Sequence, residues 1–482
     1  MTFDHILFWN DAALEANRMA HSGLEDPLVM GPVGSSRAFA IVHLAMHDAY
    51  RRATGLSTYL QNPPAAPAGA SRQMAAGAAA HHVLAQLYPS QAGALMLRLG
   101  TATNDLVANG VTGIGGGMTL GVAIAAALLA ERAGDPGADD GGYVPSMAPG
   151  RHRPDPYAAD LDTAPSGPGI DYHGPFYGTA TPFAVLPDSH PLDAPPALNS
   201  PEYVAALHRV RSKGIAPALA ATVPASGRRT PEETLIGTYW GYDGANGLGT
   251  PPRLYNQIVR QLSMAMNTSE QDNAQLFTLV NVAIGDAGIL AWREKYRHDL
   301  WRPILGIREH DTSMGPNGAY DAAFSADCDP EWLPLGAPKS NSSAKNFTPP
   351  FPAYPSGHAT FGAAALDIAR RFYGVMMYGP DPLLPAPNTF VSDECNGITR
   401  DNQGTVRSRH ARGFPGGLWQ MIEENGRSRE YLGVHWIFDA FAEDANGEMD
   451  TTKNVGGVPL GLAIAKDIWE RYEANMKQLL HP

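Results

Sequence analysis

The stretch Trp292-Arg-Glu-Lys295-Tyr-Arg-His-Asp-Leu-Trp-Arg302-Pro303 decides how the chain is read. It follows a run from Ala274 to Tyr296 that is helical in character. Lys295 and Arg302 lie seven positions apart, and at about 100° per residue that spacing sets both on nearly one helix face. Pro303 then ends or kinks the helix. Two cations on one face repel unless an anion lies between them. Taken alone, the segment also reads as a solvated basic stripe, since Arg293, Arg297 and Arg308 flank it.

Helical character continues outward from this stretch. Leu254 to Met266, Phe361 to Tyr373 and Leu460 to Leu480 read as helices, as do Arg37 to Arg51, Met74 to Leu87 and Met118 to Ala133. Start signals are clear. Ser200-Pro201-Glu202 offers an N-cap with Pro at the first helical position, and Thr230-Pro231-Glu232-Glu233 is a capping box. Sustained β alternation is scarce. Ala138 to Ser200 is dense in Pro, Gly and Asp and reads as a long ordered connection. The expectation is an all-α chain in two helical halves, an N-terminal one over 1–215 and a C-terminal one over 216–482.

Composition narrows the function. Of 482 residues, 44% are apolar and 17% charged, which excludes a disordered chain and a coiled coil. The formal net charge of −13 argues against nucleic acid as a partner, because phosphate neutralisation needs a basic surface. Any anion site must then be a local cluster of Lys and Arg. Cys328 and Cys395 cannot form a disulfide framework, and each is expected as a free thiol. The opening residues lack a basic stretch followed by an apolar one, so no classical signal peptide is expected. The expectation is cytoplasmic by default, with non-classical export left open. The longest uncharged run is Leu106 to Ala130, but only Met118 to Ala130 is strongly apolar. That is too short to span a bilayer, so a buried core helix and no membrane partner are expected. His43 and His47 have metal-ligand spacing, yet no third ligand follows, and a packed helix is expected.

Three more segments stand out. Pro349-Pro-Phe351-Pro-Ala-Tyr-Pro355-Ser356-Gly357-His358 leads into an Ala-rich helix. Ser356, Gly357 and His358 thus sit at a helix start, where unpaired N–H groups and the dipole favour anions. The plain alternative is Ser356 as an N-cap and His358 as a surface residue. In Ser428-Arg429-Glu-Tyr-Leu-Gly-Val-His435-Trp436, the apolar neighbours of His435 predict a buried imidazole held by a partner. Such an imidazole is a metal ligand, a nucleophile or a satisfied core residue. Asp243, in Trp240-Gly-Tyr-Asp243-Gly-Ala-Asn246, could orient a buried arginine through a bidentate pair, or be a turn aspartate. Together, one Lys, two Arg, a Ser–Gly helix start and two His describe a pocket for a tetrahedral oxyanion.

The ordered pattern K-x6-R-P, P-S-G-H, S-R-x5-H resembles the vanadium-dependent haloperoxidases and the related acid phosphatases of the same superfamily. Tyr239 to Arg308, Pro349 to Gly362 and Ser428 to Asp439 look like the fungal-type vanadium chloroperoxidases. So do Ile6 to Asn10, His43 to Ala49 and Gly456 to Gly461. The resemblance implies two four-helix bundles with the cofactor, vanadate, in the second. It implies His435 as the axial ligand of vanadium, with Lys295, Arg302, Arg429, Ser356 and the Gly357 N–H around the equatorial oxygens. His358 would be the acid–base group, and Asp243 the partner of Arg429. Phe351 and Trp292 match the chloroperoxidase-type halide pocket, where algal bromoperoxidases typically carry His and Arg.

The chemistry so implied uses hydrogen peroxide, a halide ion and an organic acceptor. Lys295 would polarise a bound peroxide, His358 would take a proton, and the halide would leave as hypohalous acid. Chloride is the expected halide, with bromide and iodide also oxidised. The competing reading is a vanadate-inhibited acid phosphatase, with His435 forming a phosphohistidine and His358 protonating the leaving group. The sequence leaves monomer and homodimer open.

Overall fold

The computed structural model describes residues 3–24, 26–139, 141–157, 172–383 and 389–474. Fourteen α-helices are present among them. In the N-terminal half these are α1 (His5–Ala20), α2 (Gly31–Ala53), α3 (Arg72–Leu87), α4 (Ala92–Ala108), α5 (Ile114–Glu131) and α6 (Pro201–Lys213). Then follow α7 (Pro231–Tyr239), α8 (Pro251–Ala265), α9 (Glu270–His298), α10 (Pro303–Arg308), α11 (Gly357–Phe372), α12 (Gly417–Tyr431), α13 (Ile437–Ala440) and α14 (Gly457–Ala474). Two short antiparallel strand pairs are the remaining regular structure described, apart from 3-10 turns. The all-α expectation holds.

Local signals act where the sequence carries them. Ser200 caps α6 by accepting from the Tyr203 N–H, and Thr230 and Glu233 form the capping box of α7. The 29-residue α9 starts at Ser269, whose side chain accepts from the Asp272 N–H. Glu270 and Asp272 in its first turn and Lys295, Arg297 and His298 in its last all complement the helix dipole. α9 packs against α2 as well as against α11 and α14, so one helix braces both halves.

Two expectations are corrected. Lys295 and Arg302 do not share a helix face. α9 closes at Asp299, which takes the left-handed conformation (φ 52°), and Arg302 is the N-cap residue of α10. The two cations meet because the chain reverses between them. The uncharged run is not a buried core helix either. α5 begins at Ile114, spans 18 residues, and only 33% of it is buried. By length and composition α5 could cross a membrane, as could α9, which is 94% buried in the core. The Gly-rich start of α5 is helical because it lets the helix lie against α3. A Cβ on Gly121 would meet the Ala75 carbonyl at 2.2 Å.

The Pro-rich connection is irregular where described; residues 140 and 158–171 of it lie outside the described residues. Its later part is tied to α9 by buried Asp286, whose carboxylate accepts from the N–H groups of Phe183, Ala184 and Val185. Burial pushes that carboxyl up to about 6 despite the three donors. Both cysteines are buried free thiols. His43 and His47 are buried and held, His43 by the Phe39 carbonyl and Asn10, His47 by Asp48. No metal-ligating cluster of His, Cys, Asp and Glu occurs among the described residues.

Candidate active site

The singled-out residues converge from five segments. Lys295 comes from the last turn of α9, Arg302 from the start of α10, and Ser356, Gly357 and His358 from the start of α11. Arg429 comes from the end of α12, and His435 from the turn before α13. All three cations are completely buried. Among the described residues, the two carboxylates bonded into the cluster are Asp243 and Asp439. Asp243 clasps Arg429 through both oxygens, at 2.6 and 2.9 Å, as the bidentate reading expected. The Asp439 Oδ2 accepts from His435 Nδ1 at 2.7 Å and from the Trp436 N–H at 3.0 Å.

That bond fixes the imidazole of His435. With the proton on Nδ1, Nε2 carries a lone pair, and Arg302 Nη1 donates to it at 2.8 Å. Burial, then Arg302, Lys295 and Arg429, hold the His435 pKa well below the usual histidine value. The ring is neutral and able to ligate. His358 has the opposite arrangement. Its Nε2 meets the Gly241 carbonyl at 2.7 Å, so Nε2 holds the proton and Nδ1 is the free base. The ring is 7% exposed rather than on the surface, and burial with Arg429 lowers its pKa to about 3.

The donors are only partly spent. Arg302 gives Nε to the Phe351 carbonyl (2.9 Å) and Nη1 to the Val434 carbonyl (2.8 Å), while its Nη2 is buried without a partner among the described residues. Arg429 Nε is likewise buried and unpartnered. Ser356 caps α11, accepting from the Ala359 N–H at 3.4 Å, which leaves its own hydroxyl hydrogen to donate. The N-cap reading of Ser356 holds, and that hydroxyl hydrogen is left over for an anion. Lys295 Nζ donates to the carbonyls of Pro352 (2.8 Å), Ala353 (3.1 Å) and Pro355 (2.5 Å). Burial and Arg302 push its pKa well down, while the three carbonyls and Asp439 favour the ammonium. A cluster with this much buried positive charge and these idle donors fits a tetrahedral oxyanion.

Beside the cluster is an aromatic wall. Trp292 and Phe351 stand 4.8 Å apart between ring centres, tilted by 50°. Lys295 Nζ is 5.1 Å and the Arg302 guanidinium 4.9 Å from the Phe351 ring, so the cations lie against it. Gly357 makes room for this wall, because a Cβ there would meet Trp292 Cζ3 at 3.2 Å. Trp292 Nε1 donates to the His173 carbonyl at 3.0 Å. A cavity of about 920 Å³ opens from Gly357, His358, Arg429 and His435 past Trp292 and Phe351. It continues to Leu28, Met30, Leu87 and Leu129 of the N-terminal half.

Several contributors escaped the sequence reading. Asp439, four residues after His435, is one that i,i+4 spacing could have found. The Gly241 carbonyl, His173, Lys339 and Phe347 carry no local signal. From the Pro-rich connection, Ala138, Asp139 and His173 line the cavity. Arg400 to Gly417 does not line it. Arg407 of that loop instead pairs with buried Glu394 at 2.6 Å.

Two family models match the chain. Residues 2–182 match the family model described as the vanadium chloroperoxidase N-terminal domain, and residues 275–474 match the second helical-bundle domain of the same proteins. The vanadium chloroperoxidase of Curvularia inaequalis is 34% identical over 567 aligned residues, which cover 97% of this chain and 89% of that protein. A bacterial vanadium-dependent iodoperoxidase superposes with a TM-score of 0.62 at 20% identity, covering 95% of this chain and 94% of the other. A holo-type bacterial vanadium-dependent chloroperoxidase gives 0.60 at 16% identity, covering 95% and 96%.

Proposed function

We propose that this chain, which belongs to the vanadium chloroperoxidase family and oxidises halide with hydrogen peroxide, prefers chloride and holds one vanadate among Lys295, Arg302, Ser356, Gly357, Arg429 and His435. The observation that carries this reading is the pair of idle, fully buried guanidinium nitrogens, Arg302 Nη2 and Arg429 Nε, beside a neutral imidazole whose Nε2 lone pair meets only Arg302. Donors buried without partners cost about 1–3 kcal/mol each unless an acceptor arrives, and an oxyanion supplies one.

Vanadate bound there supplies a Lewis acid that activates peroxide without changing oxidation state. His435 would hold it through Nε2, because Asp439 keeps the Nδ1 proton. His358 takes a proton from peroxide at Nδ1, because Gly241 keeps the Nε2 proton. Lys295, whose ammonium the carbonyls of Pro352, Ala353 and Pro355 hold at the cluster, would draw electron density from peroxide bound there. Trp292 and Phe351 keep water from the halide, so chloride does not compete with its own hydration shell. The product is hypohalous acid, which halogenates electron-rich organic carbon.

The test is the halogenation of monochlorodimedone by vanadium-free protein with peroxide and chloride or bromide, before and after orthovanadate is added. Vanadate-dependent turnover of chloride supports the reading. Turnover of bromide alone overturns the chloride preference. Phosphate-ester hydrolysis inhibited by vanadate, with no halide turnover, moves the chain to the phosphatase branch.

A further inference from the structure

Peroxide and halide are each comparable in size to a water molecule, whose share of the liquid is about 30 Å³. The cavity that meets the anion cluster is about 920 Å³, the size of a site for a drug-sized molecule. Its lining has an aromatic wall, with Trp292 against both Phe351 and Phe361, and a separate aliphatic set, Leu28, Met30, Leu87, Leu129 and Ala133. Most of the charge at its edge is spent. Arg37 Nε is held by Asp135 at 2.7 Å and Arg429 by Asp243. Two lining charges have no ion-pair partner among the described residues: the exposed Asp139, which accepts from the Gly141 N–H, and Lys339, which is half-buried and lies 4.9 Å over the Phe347 ring.

We propose that this cavity binds the organic acceptor itself, a planar phenolic acid held by the aromatic wall and the aliphatic set with its acidic group on Lys339. The inference rests on the haloperoxidase reading and adds the acceptor class to it. The reaction requires the same class. Hypohalous acid made at the cluster gives its halogen to an electron-rich ring carbon. A carbon–halogen bond forms, the carbon–hydrogen bond breaks, and the hydroxide released takes that proton to become water. An occupant seated against Trp292 and Phe351 meets the reagent before it reaches solvent.

The experiment uses a hydroxynaphthoate as probe, with the corresponding naphthol as neutral comparator. Binding is measured by equilibrium dialysis on the full chain without vanadate or peroxide, in the wild type, Ala133→Trp and Lys339→Met. Triiodide formation from iodide and peroxide in the vanadate-loaded proteins, which needs no organic acceptor, is the control. The expected result is saturable binding to the wild type, weakened about tenfold or more by Ala133→Trp. Lys339→Met weakens the naphthoate about tenfold and leaves the naphthol within about twofold. Triiodide formation stays unchanged in all three. The ortho-to-para ratio of naphthol bromination by the wild type differs from that of hypobromous acid alone, and Ala133→Trp returns it to the free-reagent value. No saturable binding to the wild type, or a product ratio equal to that of the free reagent, overturns the proposal. Loss of triiodide formation in the wild type would instead overturn the haloperoxidase reading.

Discussion

Two enclosed imidazoles carry their fixed protons on opposite nitrogens, which suits them to the different roles proposed for them. Asp439 holds the Nδ1 proton of His435 and frees Nε2, whereas the Gly241 carbonyl holds the Nε2 proton of His358 and frees Nδ1. Removing the proposed ligand in His435→Ala is expected to weaken vanadate retention by more than about 100-fold, measured by equilibrium dialysis. Asp439→Asn, which disturbs the tautomer but keeps the ring, is expected to cost about 10- to 100-fold in the same measurement. His358→Ala is expected to retain vanadate while chloride oxidation falls by about 10²- to 10⁴-fold. Lys295 gives the pH dependence. Burial and Arg302 depress its pKa, and its charged form is the one that binds an anion. Anion affinity therefore falls as pH rises through that depressed value, and binding takes up a proton. Lys295→Met is expected to flatten the alkaline limb of affinity against pH. The motif residues were legible because each motif is local and chemically unusual. The Gly241 carbonyl was not, since it reaches His358 across 117 positions of sequence and any residue could supply it.

At the scale of elements, the same locality explains the successes and the errors. The caps at Ser200 and Thr230 are written in four consecutive residues and form as expected. Lys295 and Arg302 were assigned one helix face because a period of seven fits a helix. Asp299 breaks that helix by entering the left-handed region, which Asp tolerates better than most residues. The apolar content of α5 was legible but its burial was not, because burial depends on which face finds a neighbour. α3 covers one face, and its approach depends on glycine. Gly121→Val would press a side chain into the Ala75 carbonyl and is expected to cost at least about 1–3 kcal/mol. A lower denaturant midpoint with unchanged m would show it. If stability is unchanged, the close α3–α5 contact does not bear on the fold.

Across the whole molecule, an acidic chain concentrates positive charge at one buried point and joins it to a cavity that both halves line. The anion cluster itself comes from residues 243–439, and the cavity lining extends to residues 21–139. Filling the cluster should stabilise the whole chain. Orthovanadate at about 100 times its dissociation constant adds about 2.7 kcal/mol, which raises the melting temperature by a few degrees in a chain of this size. His435→Ala is expected to lose that increment in a thermal scan. The measurement that bears most directly on the account is a titration of vanadium-free protein with orthovanadate. Bound vanadium and bromide oxidation are followed on the same samples. The account predicts saturation at one vanadium per chain, oxidation rising in proportion to occupancy, and loss of both in His435→Ala. Full halide oxidation by vanadium-free protein, or full occupancy with oxidation still at background, would contradict it.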